Sequence, residues 1–265
     1  MTDTAALSED LLYEVRDGIA FVTFNRPQAR NALTFAMYER LAAICETLNE
    51  DKSVRALVLA GAGGKAFAAG TDISQFQAFK SAEDALAYEQ RIDRVLGALE
   101  QCRVPTIAAI AGACTGGGAG IAGCCDLRIA ASNAKFGLPI ARTLGNCLSM
   151  SSHARMAALI GPARLKEMIF TARLIEAPEA LAIGLVSEVV ETPEALPARA
   201  EELARTVASH APLTMHATKQ ALLRLRAAIP PQEGEDLILQ CYMSRDFREG
   251  MDAFLNKRKP NFRGE

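Results

Sequence analysis

No apolar run in this chain of 265 residues approaches the length of a membrane span, which takes about 20 consecutive apolar residues. A membrane-embedded protein is therefore not expected. The N-terminal Met1-Thr2-Asp3-Thr4 lacks the basic and apolar regions of a secretory signal, so a cytoplasmic protein is expected. The seven cysteines are odd in number. No two stand as Cys-x-x-Cys, and Cys124 and Cys125 are adjacent. That pattern argues against a disulfide framework and a zinc site, and for reduced, mostly buried thiols. No metal is expected. A large charge of one sign is missing too. The formal net charge of −2 offers no electrostatic case for nucleic acid or an anionic membrane as partner. Internal repeats and low-complexity tracts are absent.

What the chain does have is apolar mass and alternation. Half of it is hydrophobic, enough for a sizeable core. Ile19 to Phe24 reads as a strand ended by Arg26-Pro27. Thr34 can cap a helix whose Met37, Leu41, Ile44, Cys45 and Leu48 recur at helical spacing. Val54 to Leu59 reads as the next strand. Ala85 to Gln101 reads as a helix with Ile92, Val95, Leu96 and Leu99 on one face. Thr106 to Ala111, a glycine-rich helix and Leu127 to Ala131 follow. Continuous apolar strands between helices predict an α/β fold of parallel sheets covered by helices. From about Pro193 the strands stop. Three helical segments are expected there, broken at Pro212 and at Pro230-Pro231. The domain reading is 1–192 for the core and 193–265 for a helical subdomain.

Two glycine loops carry the chemistry. Pro105 to Ala111 empties into Gly112-Ala113-Cys114-Thr115-Gly116-Gly117-Gly118-Ala119-Gly120, which opens a helical run at Ile121 to Cys125. Bare N–H groups at a helix N-terminus can hold an anion or a developing oxyanion. A P-loop is disfavoured, because no Lys-Ser or Lys-Thr pair follows the glycines. Upstream, Leu57-Val58-Leu59 leads through Ala60-Gly61-Ala62-Gly63-Gly64 to Phe67-Ala68-Ala69-Gly70-Thr71-Asp72-Ile73. Two such loops can each aim an N–H at one carbonyl oxygen, as acyl chemistry requires. Taken alone, each also fits a plain strand-to-loop turn.

The segments Phe67 to Ile73 and Thr115-Gly116-Gly117-Gly118 resemble the two oxyanion-hole signatures of the crotonase superfamily, the enoyl-CoA hydratases and isomerases. Asn25-Arg26-Pro27 with Asn31-Ala32-Leu33, and Cys125-Asp126-Leu127-Arg128-Ile129-Ala130, agree with it. So do Glu179-Ala180 with Gly184-Leu185-Val186, and the tail Glu249-Gly250-Met251-Asp252-Ala253-Phe254 through Lys257-Arg258-Lys259-Pro260-Asn261-Phe262. The resemblance covers nearly the whole chain, in the family's order. It implies a spiral of β-β-α turns with a C-terminal helical subdomain that builds a homo-trimer or hexamer. It implies an acyl-CoA thioester as substrate, with coenzyme A part of that substrate and no tightly bound cofactor. The oxyanion donors would be the N–H groups of Thr71 and Gly117. Coenzyme A would run past Ala29, Arg30 and Ala32, and past Ala69, Thr71, Asp72, Ile73 and Ser74. In such proteins the tail cations can lie near a neighbouring subunit's coenzyme A phosphate.

The chain departs from the family at the proton-transfer pair. The hydratases carry one glutamate on the glycine helix, where this chain has Gly120. They carry the other after a Phe-Gly-x-Pro motif, here Phe136-Gly137-Leu138-Pro139, where this chain has Ile140. A positioned acid or base contributes about 10²–10⁴-fold, so ordinary hydration is expected to be weak, and since the family's isomerases use mainly the second glutamate, Ile140 weakens the isomerase expectation too. Candidate substitutes lie just after: Arg142, Asn146 and Ser149, with Thr143 beside them. Asp72 reads chiefly as a loop hydrogen-bonding residue. Cys114 and Cys147 are candidate thiols, more commonly inert when buried. His210 and His216 fall in the helical tail, and His153 is a distant candidate base with no triad around it. Two readings stay open: an enolate-forming enzyme with an atypical acid/base, or a non-catalytic acyl-CoA-binding or scaffold subunit.

Overall fold

The computed structural model describes residues 9–226 and 235–263. Strand β1 (Leu11–Arg16) turns back into β2 (Ile19–Phe24) through Asp17-Gly18. Both turn residues take positive φ, 50° and 74°, the geometry of a two-residue hairpin. Helix α1 (Phe35–Glu50) begins at Thr34, whose hydroxyl accepts from the Met37 N–H at 3.2 Å.

Three turns of one pattern follow: β3 (Ala56–Gly61), β4 (Ala66–Ala68) and α2 (Ala82–Glu100); β5 (Thr106–Ile110), β6 (Ala113–Thr115) and α3 (Gly117–Cys124); β7 (Leu127–Ala131), β8 (Lys135–Gly137) and α4 (Met150–Ile160). In each turn the first strand joins one sheet and the second strand joins another. The chain thus winds as a spiral of β-β-α turns. It repeats in structure without repeating in sequence, because equivalent positions meet different neighbours. Helix α5 (Pro162–Thr171), β9 (Ile175–Glu176), α6 (Ala177–Ala182) and β10 (Glu188–Val190) complete the spiral. The larger sheet has the order β1-β2-β3-β5-β7-β10, and the smaller β4-β6-β8-β9. All neighbours are parallel except β1 with β2 and β8 with β9.

Side chains alternate across the larger sheet. Leu57 and Leu59 face the main core, with Leu41, Leu48 and Leu99. Ile19, Val58, Ile107 and Ile129 face outward into a second apolar layer. That layer is closed by Leu196, Ala200 and Ala204 of α7 (Leu196–Ala208). The strands end before Pro193, but packing onto the sheet continues beyond it.

Several elements differ from expectation. The strand expected at Val54 to Leu59 runs Ala56–Gly61, and the glycine helix starts at Gly117 rather than Ile121. Strands β1, β4, β6, β8, β9 and β10 had no clear sequence signal. Five of them are two or three residues long, too short to show a period. After residue 193 the described residues hold four helices, not three: α7, α8 (Pro212–Arg226), α9 (Glu235–Tyr242) and α10 (Arg245–Leu255). The expected break at Pro230-Pro231 lies outside the described residues. The α9/α10 boundary contains no proline. It is made by Ser244, whose hydroxyl accepts from the Phe247 N–H at 2.9 Å.

The helical tail is tied to the spiral at two points. Lys219 of α8 is buried and donates to Asp126 Oδ2 at 2.7 Å and to the Val104 carbonyl at 3.1 Å. Helix α10 packs through Gly250, where a Cβ would lie 2.7 Å from the carbonyl oxygens of Thr143 and Leu144. This close approach accounts for the glycine of the tail motif. Arg258 of the basic run is bound within its own chain, to Glu249 and Asp252.

Candidate active site

The two glycine loops meet. Leu33 N–H donates to the Gly70 carbonyl and Asp72 N–H to the Leu33 carbonyl, both at 2.8 Å. This parallel bridge uses the groups on either side of Thr71 and leaves the Thr71 N–H on the far side. Gly117 is the first residue of α3, so its N–H has no partner in its own helix. The Thr115 hydroxyl donates to the Ala69 carbonyl at 2.9 Å, joining the loops. At Gly118 a Cβ would lie 2.1 Å from the Ala68 carbonyl oxygen. Glycine there lets α3 and β4 touch. Thr71 and Gly117 line one cavity of about 590 Å³.

Around that wall the loops are held by polar side chains. Arg30 and Asn31 take positive φ of 51° and 55°. Asn31 is fully buried, accepts from Arg26 N–H and donates to the carbonyls of Ala62 and Ala66. Burial raises the Asp72 carboxyl, but hydrogen bonds from Ser74 and Arg26 outweigh it and hold the group below its ordinary range. Ala29, Arg30, Ala32, Ala69, Asp72 and Ile73 line the cavity. Ser74 stands outside that lining and donates to Asp72. The Thr71 hydroxyl joins two phenols, Tyr38 at 3.0 Å and Tyr88 at 3.1 Å. Burial pushes both phenols above their usual range, so they stay neutral.

The facing wall comes from α2, the segment 138–149 and the C-terminal helices. Gly120 and Ile140 both line it. No carboxylate occupies either position. A Cβ at Gly120 would meet only Leu96 Cδ1, at 3.6 Å, so that site has room. Arg142 is exposed at the cavity, and Thr143 donates to the Pro139 carbonyl. Asn146 lines the cavity, and its Nδ2 donates to the Tyr242 hydroxyl at 3.3 Å. Ser149 lies behind the lining, where its hydroxyl caps α4 and donates to Asp93 Oδ1 at 2.7 Å. Cys114 is buried away from the cavity, and burial raises its thiol. Cys147 lines the cavity, but its thiol is raised by a hydrogen bond with Cys241 and by burial. His153 Nδ1 lies 3.0 Å from the carbonyl oxygen of Ser149. Neither it nor His210 or His216 lines the cavity.

One group in this wall was not anticipated. Glu89 of α2 lines the cavity at 7% exposure. Burial is the largest influence on its carboxyl, a hydrogen bond from Tyr242 opposes it, Asp93 adds repulsion, and the Ser149 N–H donates a further bond that lowers it. The result is a group pushed up to about 7. The Tyr242 hydroxyl donates to Glu89 Oε1 at 2.5 Å. The signal was present in the sequence: Glu89 lies on the same helical stripe as Ala85, Ile92 and Leu96. A carboxylate on an apolar stripe is costly unless it has a partner or a task. Among the described residues no group of three or more His, Cys, Asp or Glu side chains is placed to hold a metal ion. No helix among them is long and apolar enough to cross a membrane.

Residues 14–265 match the family model described as enoyl-CoA hydratase/isomerase. A crotonyl-CoA hydratase of Syntrophomonas wolfei subsp. wolfei is 36% identical over 259 residues, covering 96% of this chain and 98% of that protein. A solved enoyl-CoA hydratase/carnithine racemase from Magnetospirillum magneticum is 38% identical with a TM-score of 0.78, covering 97% of this chain and 96% of that one. A methylmalonyl-CoA decarboxylase, solved in complex with 2-nitronate-propionyl-CoA, has a TM-score of 0.86 at 30% identity, covering 96% and 98%.

Proposed function

The chain belongs to the enoyl-CoA hydratase/isomerase family, and from that premise we propose that it is an enzyme that binds an acyl-CoA thioester and forms its enolate. The observation that carries this reading is Glu89. It puts a buried carboxyl, pushed up to about 7, into the same cavity as Thr71 and Gly117. A group near that value is a workable base and a workable acid at neutral pH. The thioester carbonyl accepts from the N–H groups of Thr71 and Gly117, which stabilise the negative oxygen as the enolate forms. The Glu89 carboxylate takes a proton from C2 and returns it to carbon.

One carboxyl suits a proton shuttle better than the addition of water. In double-bond migration the proton leaves C2 and arrives at C4, and the same group serves both ends. Hydration calls for an acid and a base around the water, and Gly120 and Ile140 supply neither. Migration from 3-enoyl to 2-enoyl thioesters is therefore the favoured reaction, with crotonyl-CoA hydration slow. Arg30, exposed at the mouth, is suited to a coenzyme A phosphate, since a guanidinium pairs with phosphate through two bonds. The region 193–265 is proposed to serve assembly into a trimer or hexamer. Leu213, Leu222 and Leu225 of α8 stand exposed in the single chain, which supports that reading and is checked by sedimentation.

The test compares isomerisation of a 3-enoyl-CoA, crotonyl-CoA hydration and acyl-CoA affinity in wild type and Glu89→Gln. Isomerisation in the wild type should exceed hydration, and should fall about 10²–10⁴-fold in the variant with affinity nearly unchanged. A variant that keeps its rate removes Glu89 from the chemistry. Tight binding with no turnover of either substrate by the wild type would favour the non-catalytic acyl-CoA-binding reading.

A further inference from the structure

Glu89 does not stand alone in its wall. Its Oε1 accepts from the hydroxyl of Tyr242, the last residue of α9, at 2.5 Å. Tyr242 is 4% exposed, and burial is the main reason its phenol stays neutral and keeps its proton. The Tyr242 oxygen in turn accepts from Asn146 Nδ2 at 3.3 Å. With that lone pair engaged by a donor, the Tyr242 proton is directed at the carboxyl. The order is therefore Asn146 N–H to Tyr242 oxygen, and Tyr242 O–H to Glu89. The Tyr242 ring is locked against Phe247 at 4.8 Å between centroids and lies 6.2 Å from Tyr88 and 6.4 Å from Phe79.

We propose that Tyr242 is the positioning residue for the proton-transfer group: its hydroxyl holds Oε1 of Glu89, alongside the Ser149 N–H that also bonds the carboxyl, with Asn146 setting the direction of the Tyr242 hydroxyl. The inference rests on the reading of Glu89 as the acid/base. It ties α9, which lies beyond the strands, to the reacting end of the cavity.

Deleting the Tyr242 hydroxyl removes a donor to the charged form, so the Glu89 carboxyl must titrate higher. The other titratable groups facing Glu89 are Asp93 and Tyr88 on α2, Tyr38 on α1 and Cys147 before α4. The phenols and the thiol are raised and remain neutral across the useful range. Asp93 lies one turn along α2 and accepts from the Ser149 hydroxyl, a contact that the Tyr242 substitution does not touch.

The experiment reads the Glu89 carboxyl directly, by ¹³C NMR of protein labelled at the glutamate side-chain carboxyl. Its signal is the one lost in Glu89→Gln. In Tyr242→Phe the midpoint should rise by about one pH unit or more. The acid limb of the isomerisation rate should move with it. The rate at pH 7 should drop roughly fivefold and recover by about pH 9. Asn146→Ala, which keeps the Tyr242 ring, should move the midpoint in the same direction by less. A rate lowered equally at every pH, with both midpoints unchanged, would make Tyr242 merely structural and overturn the proposal. If instead Glu89→Gln keeps full activity while the midpoints still shift, the acid/base reading fails and the coupling of Tyr242 to Glu89 stands.

Discussion

The two walls of the cavity are made of different material. The wall around Thr71 and Gly117 is main chain: a parallel bridge, a helix N-terminus, and glycines that let β4 and α3 touch. The wall around Glu89 is side chain: a carboxyl on α2, a phenol on α9 and an amide from the segment before α4. Main-chain donors survive substitution of the residues that carry them, so the Thr71 N–H does not depend on the Thr71 side chain. Side-chain chemistry depends on the side chain: Gly120 and Ile140 bring no carboxyl to this cavity, and Glu89 does. The first wall therefore tolerates substitution and the second does not.

The comparison breaks most directly at Glu89, where Glu89→Gln should cost about 10²–10⁴-fold in isomerisation, as set out above. Gly118→Ala comes next. Its Cβ would lie 2.1 Å from a main-chain oxygen of β4, and backbone cannot step aside. A stability loss of about 3 kcal/mol is expected, read by chemical denaturation. A fully stable variant would mean that the two loops are not in close contact.

Glu89→Gln has a second consequence, of similar size and opposite sign. The Glu89 carboxyl is raised from 4.5 to about 7 in the folded protein. Below about 4.5 it is neutral in both folded and unfolded states. As pH rises from there to 7 the unfolded chain loses this proton first, so the folded state is progressively disfavoured, and the penalty is complete above 7. The variant should therefore gain up to about 3 kcal/mol over wild type at pH 8 and almost nothing at pH 4.5. Denaturant midpoints at the two pH values check this. A gain equal at both would show that the carboxyl is not desolvated.

Thr71→Ala sharpens the distinction at the main-chain wall. The N–H remains, while Tyr38 and Tyr88 lose their shared partner. Stability should fall by about 1–3 kcal/mol, with kcat changed less than about tenfold, well short of the loss of an oxyanion donor. A larger fall in kcat would assign chemistry to the hydroxyl. The smallest effect is at Gly120→Ala, whose Cβ would meet only Leu96 Cδ1, at an ordinary contact distance of 3.6 Å. That variant should be stabilised by about 0.4–1 kcal/mol in thermal melts, with activity kept.

The legible part of the molecule follows a physical line. Ile19–Phe24 and Leu127–Ala131 were read to the residue, since each is an apolar run bounded by turn residues or glycine helix. Thr34 as helix cap follows from the hydroxyl it offers to a free N–H. The short strands β4, β6, β8 and β9 leave no such signal, because their pairing is set by partners far along the chain. Glu89 is hidden in the sequence for a related reason. The apolar stripe of α2 is plain from Ile92 onward, and a carboxylate one turn earlier looks like the solvated face of an ordinary helix. Its cost and its use depend on what covers it.

By itself the sequence determined the backbone chemistry: where strands run into glycines, where a helix must start with unpaired N–H groups, and that positions 120 and 140 carry no carboxyl. These are local properties, set by residue type within a few positions. Only the tertiary structure decided that Glu89 is buried, that Tyr242 from 153 residues further along reaches its carboxyl, and that Glu89 opens onto the cavity of Thr71 and Gly117. A carboxyl's proton affinity depends on the solvent it has lost and the donors it has gained, and both come from parts of the chain that meet only when it folds.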